Sequence, residues 1–164
     1  MNLNDLLKVK IKLDGGIMPQ KKSKYAGAYD LYCPEDTQLH FGRQIVNLKF
    51  QMEMPPCLKA DVRARSGYSS KGFKVKAYKD GTSYDLLLSA DVILGLIDAD
   101  YRGNTGVILK IDDERIKEYD YCYIPKGERI AQMAFTFVPN VQLLQSDELD
   151  MTDDRGGGFG HTNK

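Results

Sequence analysis

The string Ala64-Arg65-Ser66-Gly67-Tyr68-Ser69-Ser70-Lys71-Gly72 sets a guanidinium, a hydroxyl and a small flexible residue side by side. Those groups suit a phosphate: Arg65 offers a fork of donors, Ser66 adds one more, and Gly67 lets backbone N–H groups come close. A solvated turn before a short helix would look the same. Further on, Gly95-Leu96-Ile97-Asp98-Ala99-Asp100-Tyr101-Arg102-Gly103-Asn104 ends an apolar run in two carboxylates. In an extended chain Asp98 and Asp100 share one face. One can then hold a water or a sugar hydroxyl while the other makes structural hydrogen bonds. Tyr101 offers a flat apolar ring for a ribose or a base. A hairpin turn whose Asp and Asn side chains satisfy their own backbone is the alternative. In Lys126-Gly127-Glu128-Arg129-Ile130-Ala131-Gln132-Met133, Arg129 and Gln132 are candidates for contacting phosphate or water, and the same string reads as a turn opening a core strand. Near the end, Arg155-Gly156-Gly157-Gly158-Phe159-Gly160-His161-Thr162 joins one arginine and one aromatic through three glycines. Ordering such glycines costs roughly 0.5–1 kcal/mol each relative to alanine in regular structure, so they are useful where backbone must wrap a ligand. A floppy tail is the other reading. His40 reads as a surface or strand histidine.

The elements that must hold these groups are short strands separated by Gly, Pro, Asp and Asn. Val9 to Leu13 alternates cleanly and stops at Gly15-Gly16. Ile45 to Met54 reads as one strand ending at Pro55-Pro56. Leu58 to Val62, Val107 to Leu109, Tyr121 to Ile124 and Ile130 to Val138 are further strands. Phe73 to Tyr78 alternates with period two and Asp80-Gly81 follows, so residues 72–88 read as a hairpin with a type I′ turn. One short helix is expected around Ser69. The pattern predicts an all-β domain, a sandwich or barrel, over residues 1–144. Residues 145–164 are acidic, then glycine-rich, and are expected to form a mobile arm. The chain has no internal repeat.

A chain of 164 residues suits one domain with a real core, and 42% hydrophobic with 28% charged residues argues against disorder. Lys+Arg and Asp+Glu are both 23, without a long basic stripe, which disfavours duplex DNA or an anionic membrane as the main partner. Cys33, Cys57 and Cys122 lie far apart and form no CxxC, so a zinc site is not expected and three reduced thiols in a cytoplasmic protein are. The N-terminus does not read as a signal peptide, and Leu86 to Ile97, the most apolar stretch, is too short to span a bilayer.

Taken in order, the four strings, together with Ala26-Gly27-Ala28-Tyr29-Asp30-Leu31-Tyr32 upstream, resemble the five motifs of the trimeric dUTPase family. The resemblance covers about residues 20 to 162, and Gly95 to Leu109 is its most specific part. It implies a distorted β-barrel or jelly roll of the β-clip kind, a homotrimer with three shared active sites, Mg²⁺, and hydrolysis of dUTP to dUMP and pyrophosphate. By resemblance, Val92, Gly95, Leu96, Ile97 and Gly106 would receive uracil through main-chain groups. Tyr101 would pack under the deoxyribose. Asp98 would touch the 3′-hydroxyl and act as general base. Arg65, Ser66 and Gly67 would bind the phosphates, with Ser66 near the leaving oxygen. Gln132 would contact phosphate or water, and Asp30 would reach the metal through water. Arg155 would clamp the terminal phosphate, while Phe159 and Gly160 would close over the nucleotide. The chain departs from the family pattern at Ala28, usually Gly, and at Ala64, usually Pro. Its link over 72–88 is longer, its last motif is one residue shorter, and His161 stands where Ser is common. Two rival activities are weighed. A dCTP deaminase of this fold would need an acid on the strand after the hairpin, and Tyr101 to Ile111 has none. A nucleotide-gated regulatory protein could use the 72–88 hairpin as its contact surface.

Overall fold

The computed structural model describes residues 7–152. Among these residues thirteen strands and one α-helix follow in chain order: β1 (Lys10–Leu13), β2 (Tyr29–Tyr32), β3 (Thr37–Leu39), β4 (Gly42–Asn47), β5 (Phe50–Glu53), β6 (Leu58–Arg63), α1 (Ser66–Lys71), β7 (Phe73–Lys79), β8 (Thr82–Leu88), β9 (Ala90–Ile93), β10 (Gly95–Ile97), β11 (Gly106–Ile111), β12 (Tyr121–Ile124) and β13 (Arg129–Phe137). A 3-10 turn, Glu114–Glu118, lies between β11 and β12. The strands form four small sheets ordered β1-β5, β10-β6-β13-β2, β4-β11-β9 and β3-β12-β7-β8, and among the described residues none of them closes on itself. This is the expected all-β architecture in its open, jelly-roll form.

Alternation explains the core. In β7 the side chains of Phe73, Val75 and Ala77 are buried while Lys74 and Lys79 are exposed. Leu31, Phe50, Val62, Leu88, Leu109 and Met133 join them in one apolar cluster, each such side chain stabilising the fold by roughly 1.5–3 kcal/mol. The Asp80-Gly81 turn behaves as its residues predict: φ is 49° at Asp80 and 76° at Gly81, the positive pair that a type I′ turn requires.

The stretch from Ile45 to Met54 is not one strand. It breaks at Leu48-Lys49, where Lys49 takes φ 54° and its N–H donates to Asn47 Oδ1 at 2.8 Å. That Asx-type contact turns the chain, so β4 pairs with β11 and β5 pairs with β1. Helix α1, expected around Ser69, is held by one anchor. Tyr68 is buried, stacks on Phe73 at 4.2 Å, and its hydroxyl donates to Glu128 Oε1 at 3.0 Å. Burial beside the Glu128 carboxylate pushes the phenol above its usual range, so it stays a neutral donor. The three cysteines are free thiols, and burial pushes Cys33 up to about 12, which leaves it no nucleophilic character at neutral pH.

Candidate active site

Three of the five motifs meet at one end of the β10-β6-β13-β2 sheet. Asp30 on β2 and Arg63 on β6 flank Gln132 on β13, one row across three strands, so all three project from the same face. Arg65 follows β6 directly and opens α1. Strict alternation along β13 would send Arg129 to the opposite face from Gln132. A β-bulge between Arg129 and Ala131 prevents this: Ile130 and Ala131 are both buried, and Arg129 returns to the face of Gln132.

The result is a compact ionic cluster. Asp30 Oδ1 accepts from Arg65 Nε at 3.0 Å and Oδ2 accepts from Arg129 Nη1 at 3.1 Å. Arg65 Nη1 also donates to the Arg129 carbonyl at 3.4 Å, and Gln132 Nε2 donates to the Ala64 carbonyl at 2.9 Å. The hydrogen bond to Asp30 holds the Arg129 guanidinium in its charged form even more firmly than usual. A hollow of about 230 Å³ opens over the cluster, its polar walls made by Lys22, Asp30, Arg65, Ser66, Arg129 and Gln132. Three cationic side chains against one carboxylate leave two positive charges, a balance suited to a polyphosphate. Lys22 was not singled out from sequence. It belongs to the basic run Lys21-Lys22-Ser23-Lys24, brought to the site by the Gln20–Asp30 bridge, and its ammonium lies 5.7 Å from the centre of the Tyr32 ring.

The third motif lies elsewhere on the chain. Strand β9 pairs with β11, with Val92 opposite Leu109, and the chain then changes sheets at the exposed Leu94 so that β10 pairs with β6. Ile97 stands opposite Ala60, five residues before Arg65. Asp98 follows at the Lys59 end of β6 while Arg65 lies beyond Arg63 at the other end, and the four steps from Lys59 to Arg63 span roughly 13 Å at about 3.3 Å per strand residue. Asp98 and Asp100 do not share a strand face as an extended chain would have them. Residues 98–101 form a turn in which the Tyr101 N–H donates to the Asp98 carbonyl at 3.2 Å. Tyr101 is 47% exposed, its hydroxyl donates to the Asn104 carbonyl at 3.2 Å, and its ring lies over Gly103, where a Cβ would fall 2.3 Å from the Tyr101 oxygen. Gly103 is therefore what lets the ring fold back and display a face. Gly95, Leu96 and Gly106 are all at or near the surface around this hairpin, while Ile97 is buried. Arg155, Phe159 and Gly160 lie outside the described residues.

No group of three or more His, Cys, Asp or Glu among the described residues could cage a metal ion. Both Asp30 oxygens are occupied by guanidinium donors, so Asp30 suits contact with a hydrated Mg²⁺ rather than direct ligation. Among the described residues no helix is long and apolar enough to cross a membrane.

Fold and site together define a β-protein with a cationic hollow at one end of a sheet, a charge balance that suits a phosphorylated ligand. The sequence model of the dUTPase family matches residues 82–163, half of the chain. The deoxyuridine 5′-triphosphate nucleotidohydrolase of Variola virus is 32% identical, over 99% of this chain and 96% of its own. The Hydrogenobaculum enzyme of the same name is 34% identical over 96% of each chain. The Staphylococcus bacteriophage 80alpha dUTPase, solved with dUpNHpp and described as controlling transfer of virulence genes by a proto-oncogenic G protein-like mechanism, superposes with a TM-score of 0.75 at 25% identity, covering 93% of this chain and 96% of that one. A mutant dUTPase of phage phi11, described with a structural Mg(II) ion, has a TM-score of 0.69 at 20% identity, covering 86% of this chain and 97% of that one. The chain belongs to the dUTPase family, enzymes that hydrolyse dUTP.

Proposed function

We propose that this chain hydrolyses dUTP to dUMP and pyrophosphate by attack of water on the α-phosphorus, in active sites shared between the subunits of a homotrimer. The observation that carries this reading is the separation within one chain. The phosphate-binding groups gather around Asp30, Arg65, Arg129 and Gln132, at the Arg63 end of β6, whereas Asp98 and Tyr101 follow β10 beyond its Leu58 end. A nucleoside triphosphate spanning both sets needs the hairpin of one subunit beside the cationic hollow of another.

In that arrangement the main chain around Val92, Gly95, Leu96, Ile97 and Gly106 receives uracil. Its donors and acceptors reject cytosine, and its tightness rejects the methyl group of thymine. The open face of Tyr101 packs under the deoxyribose and leaves no room for a 2′-hydroxyl. Asp98 holds the 3′-hydroxyl and takes a proton from the attacking water. Arg65, Ser66, Gly67 and Gln132 bind the phosphate chain, with Ser66 beside the bridging oxygen that leaves. Arg155 clamps the terminal phosphate, and Phe159 and Gly160 cover the base, excluding bulk water. Asp30 would reach a hydrated Mg²⁺ through water, and the ion would supply neutralisation of the phosphate charge. The remaining rearrangement belongs to the protein: Arg65 and Arg129, now shared with Asp30, have donors to turn towards an arriving polyanion.

A second reading is favoured by the β7–β8 hairpin. Strand β8 is the free edge of its sheet and is exposed along most of its length. With the G protein-like role described for the 80alpha dUTPase, this supports a nucleotide-gated contact with another protein in addition to catalysis. The deaminase alternative is disfavoured because β11 carries no carboxylate.

Product analysis after incubation with Mg²⁺ and, separately, dUTP, dCTP and dTTP tests the reading. Monophosphate and pyrophosphate from dUTP alone are expected. Deamination of dCTP would overturn the chemistry, and tight binding of dUTP without turnover would put the regulatory reading first.

A further inference from the structure

One face of the β3-β12-β7-β8 sheet carries a second hollow, whose lining shares no residue with that of the phosphate cluster. It encloses about 310 Å³ and is lined by Asp36, Gln38, Tyr78, Tyr121 and Tyr123. Strand pairing puts these side chains together. Tyr121 stands opposite Tyr78, and Tyr123 lies between Gln38 on β3 and Lys76 on β7, all on one face. The three rings are close to parallel. Tyr78 and Tyr121 lie 4.8 Å apart at 14°, Tyr78 and Tyr123 6.2 Å apart at 15°, and Tyr121 and Tyr123 6.4 Å apart at 24°. Every group in the lining is a π face, a hydroxyl, an amide or a carboxylate, and no cationic side chain belongs to it. Lys76, the nearest cation in the pairing register, is turned away to Asp85 at 2.6 Å. Asp36 Oδ1 accepts the Lys126 N–H at 2.8 Å, which fixes the carboxylate, and Oδ2 accepts no hydrogen bond among the described residues. Asp120 precedes Tyr121, and its carboxylate accepts the Asp80 N–H at 3.0 Å. Hydrogen bonding to Tyr78 pushes the Tyr123 phenol above its usual range, so that ring stays a neutral one.

We infer that this hollow binds the guanidinium of an arginine side chain presented by a partner protein. Electron-rich ring faces attract a cation, and a carboxylate with a free oxygen completes the match. The ring geometry selects among cations. Near-parallel tyrosines present no converging walls to cage a tetrahedral ammonium, but they stack well on a planar guanidinium, which also fits a carboxylate through paired N–H groups. A nucleic acid strand, which would use the same rings for base stacking, is opposed by the Asp36 carboxylate in the lining.

The test is an NMR titration of the full-length protein, carrying labelled tyrosine rings, with acetyl-Gly-Arg-Gly-amide. Parallel titrations use the lysine and the citrulline peptides. The arginine peptide is expected to shift the Tyr78, Tyr121 and Tyr123 ring signals with a saturable, millimolar curve, and the other two peptides are expected to bind several-fold more weakly. Asp36→Asn keeps an acceptor for the Lys126 N–H and should weaken binding roughly three- to fivefold, the scale of an exposed ion pair, with dUTP hydrolysis unchanged. Tyr121→Leu, at a half-exposed ring, should have a similar effect. Absent shifts, equal binding of the citrulline peptide, or an unaffected Asp36→Asn protein would each overturn the inference. Tyrosine shifts that grow with protein concentration alone would assign the face to a second copy of the chain and overturn it as well.

Discussion

Asp30 stands directly opposite Gln132 in the β2–β13 pairing, so the acid of the first motif and the amide of the fourth share one face of the sheet. The same acid receives Arg65 and Arg129 on its two oxygens. Its side chain is only 11% exposed, whereas that of Arg129 is 38% exposed. Removing the charge leaves two guanidinium groups facing each other, partly screened by solvent. Asp30→Asn is therefore expected to lower the unfolding free energy by about 1–3 kcal/mol, less than for a fully buried pair. Urea denaturation checks this, and an unchanged midpoint would contradict it.

Asp98→Asn should keep nucleotide binding and lower turnover by roughly 10²–10⁴, the range for losing a positioned general base. The exposed turn around Asp98 makes the substitution structurally mild. Steady-state kinetics with dUTP decide it: near-normal kcat would remove Asp98 from the proton transfer.

How much of this was legible in the sequence depends on the range of the interaction that decides each feature. The Asp80-Gly81 turn and the alternation of Phe73 to Tyr78 are local, and the hairpin formed as expected. The helix at Ser69 also formed. The break at Lys49 was hidden because a lysine rarely adopts positive φ, and the cause is the Asn47 side chain two residues back. Arg129 joins Asp30 only through a bulge at Ile130, a register event between strands that no single-strand period reveals. Lys22 is placed by a bridge between residues 20 and 30, outside any motif. Motif order pointed to the family, but not to the placement of Asp98 and Arg65 at opposite ends of β6.

Acid sensitivity should centre on Asp113. This carboxylate accepts from Arg115 Nε and Nη2 and from the Arg115 and Ser89 N–H groups, bonds that hold it well below the usual range, with the Arg115 side chain the largest cause. A depressed folded-state value means the stabilisation is present above the unfolded value, about 4 for an aspartate, and is lost as pH falls further towards the folded one. Asp113→Asn should reduce stability at pH 7 and flatten the decline below about pH 4. Thermal melts across pH would show parallel wild-type and variant curves if Asp113 played no such part.

Deleting residues 155–164 should leave a folded oligomer with badly impaired hydrolysis. The deletion begins beyond β13, the last strand among the described residues, and removes none of the described core. Arg155 and Phe159 are proposed to act only on bound nucleotide, so kcat/KM for dUTP falls while the melting temperature of the free protein stays constant. Normal kinetics in the truncated form would show that the glycine-rich segment is no lid.

Site sharing itself is open to a complementation experiment. Asp98→Asn disables the hairpin side of a site, and Arg65→Gln disables the phosphate side while leaving Asp30 its bond to Arg129. Each variant alone should be nearly inactive. If both sides of every site came from one chain, mixed oligomers would stay inactive, because each subunit carries one defect. If the sides come from neighbouring subunits, random mixing in equal amounts pairs an intact hairpin with an intact phosphate side in about one site in four. Co-expression, purification of the mixed oligomer and measurement of dUTP turnover should therefore return roughly a quarter of wild-type activity, well above the sum of the two variants. Activity no higher than that sum would place Asp98 and Arg65 in the same subunit's site and would require the hairpin to swing across the length of β6.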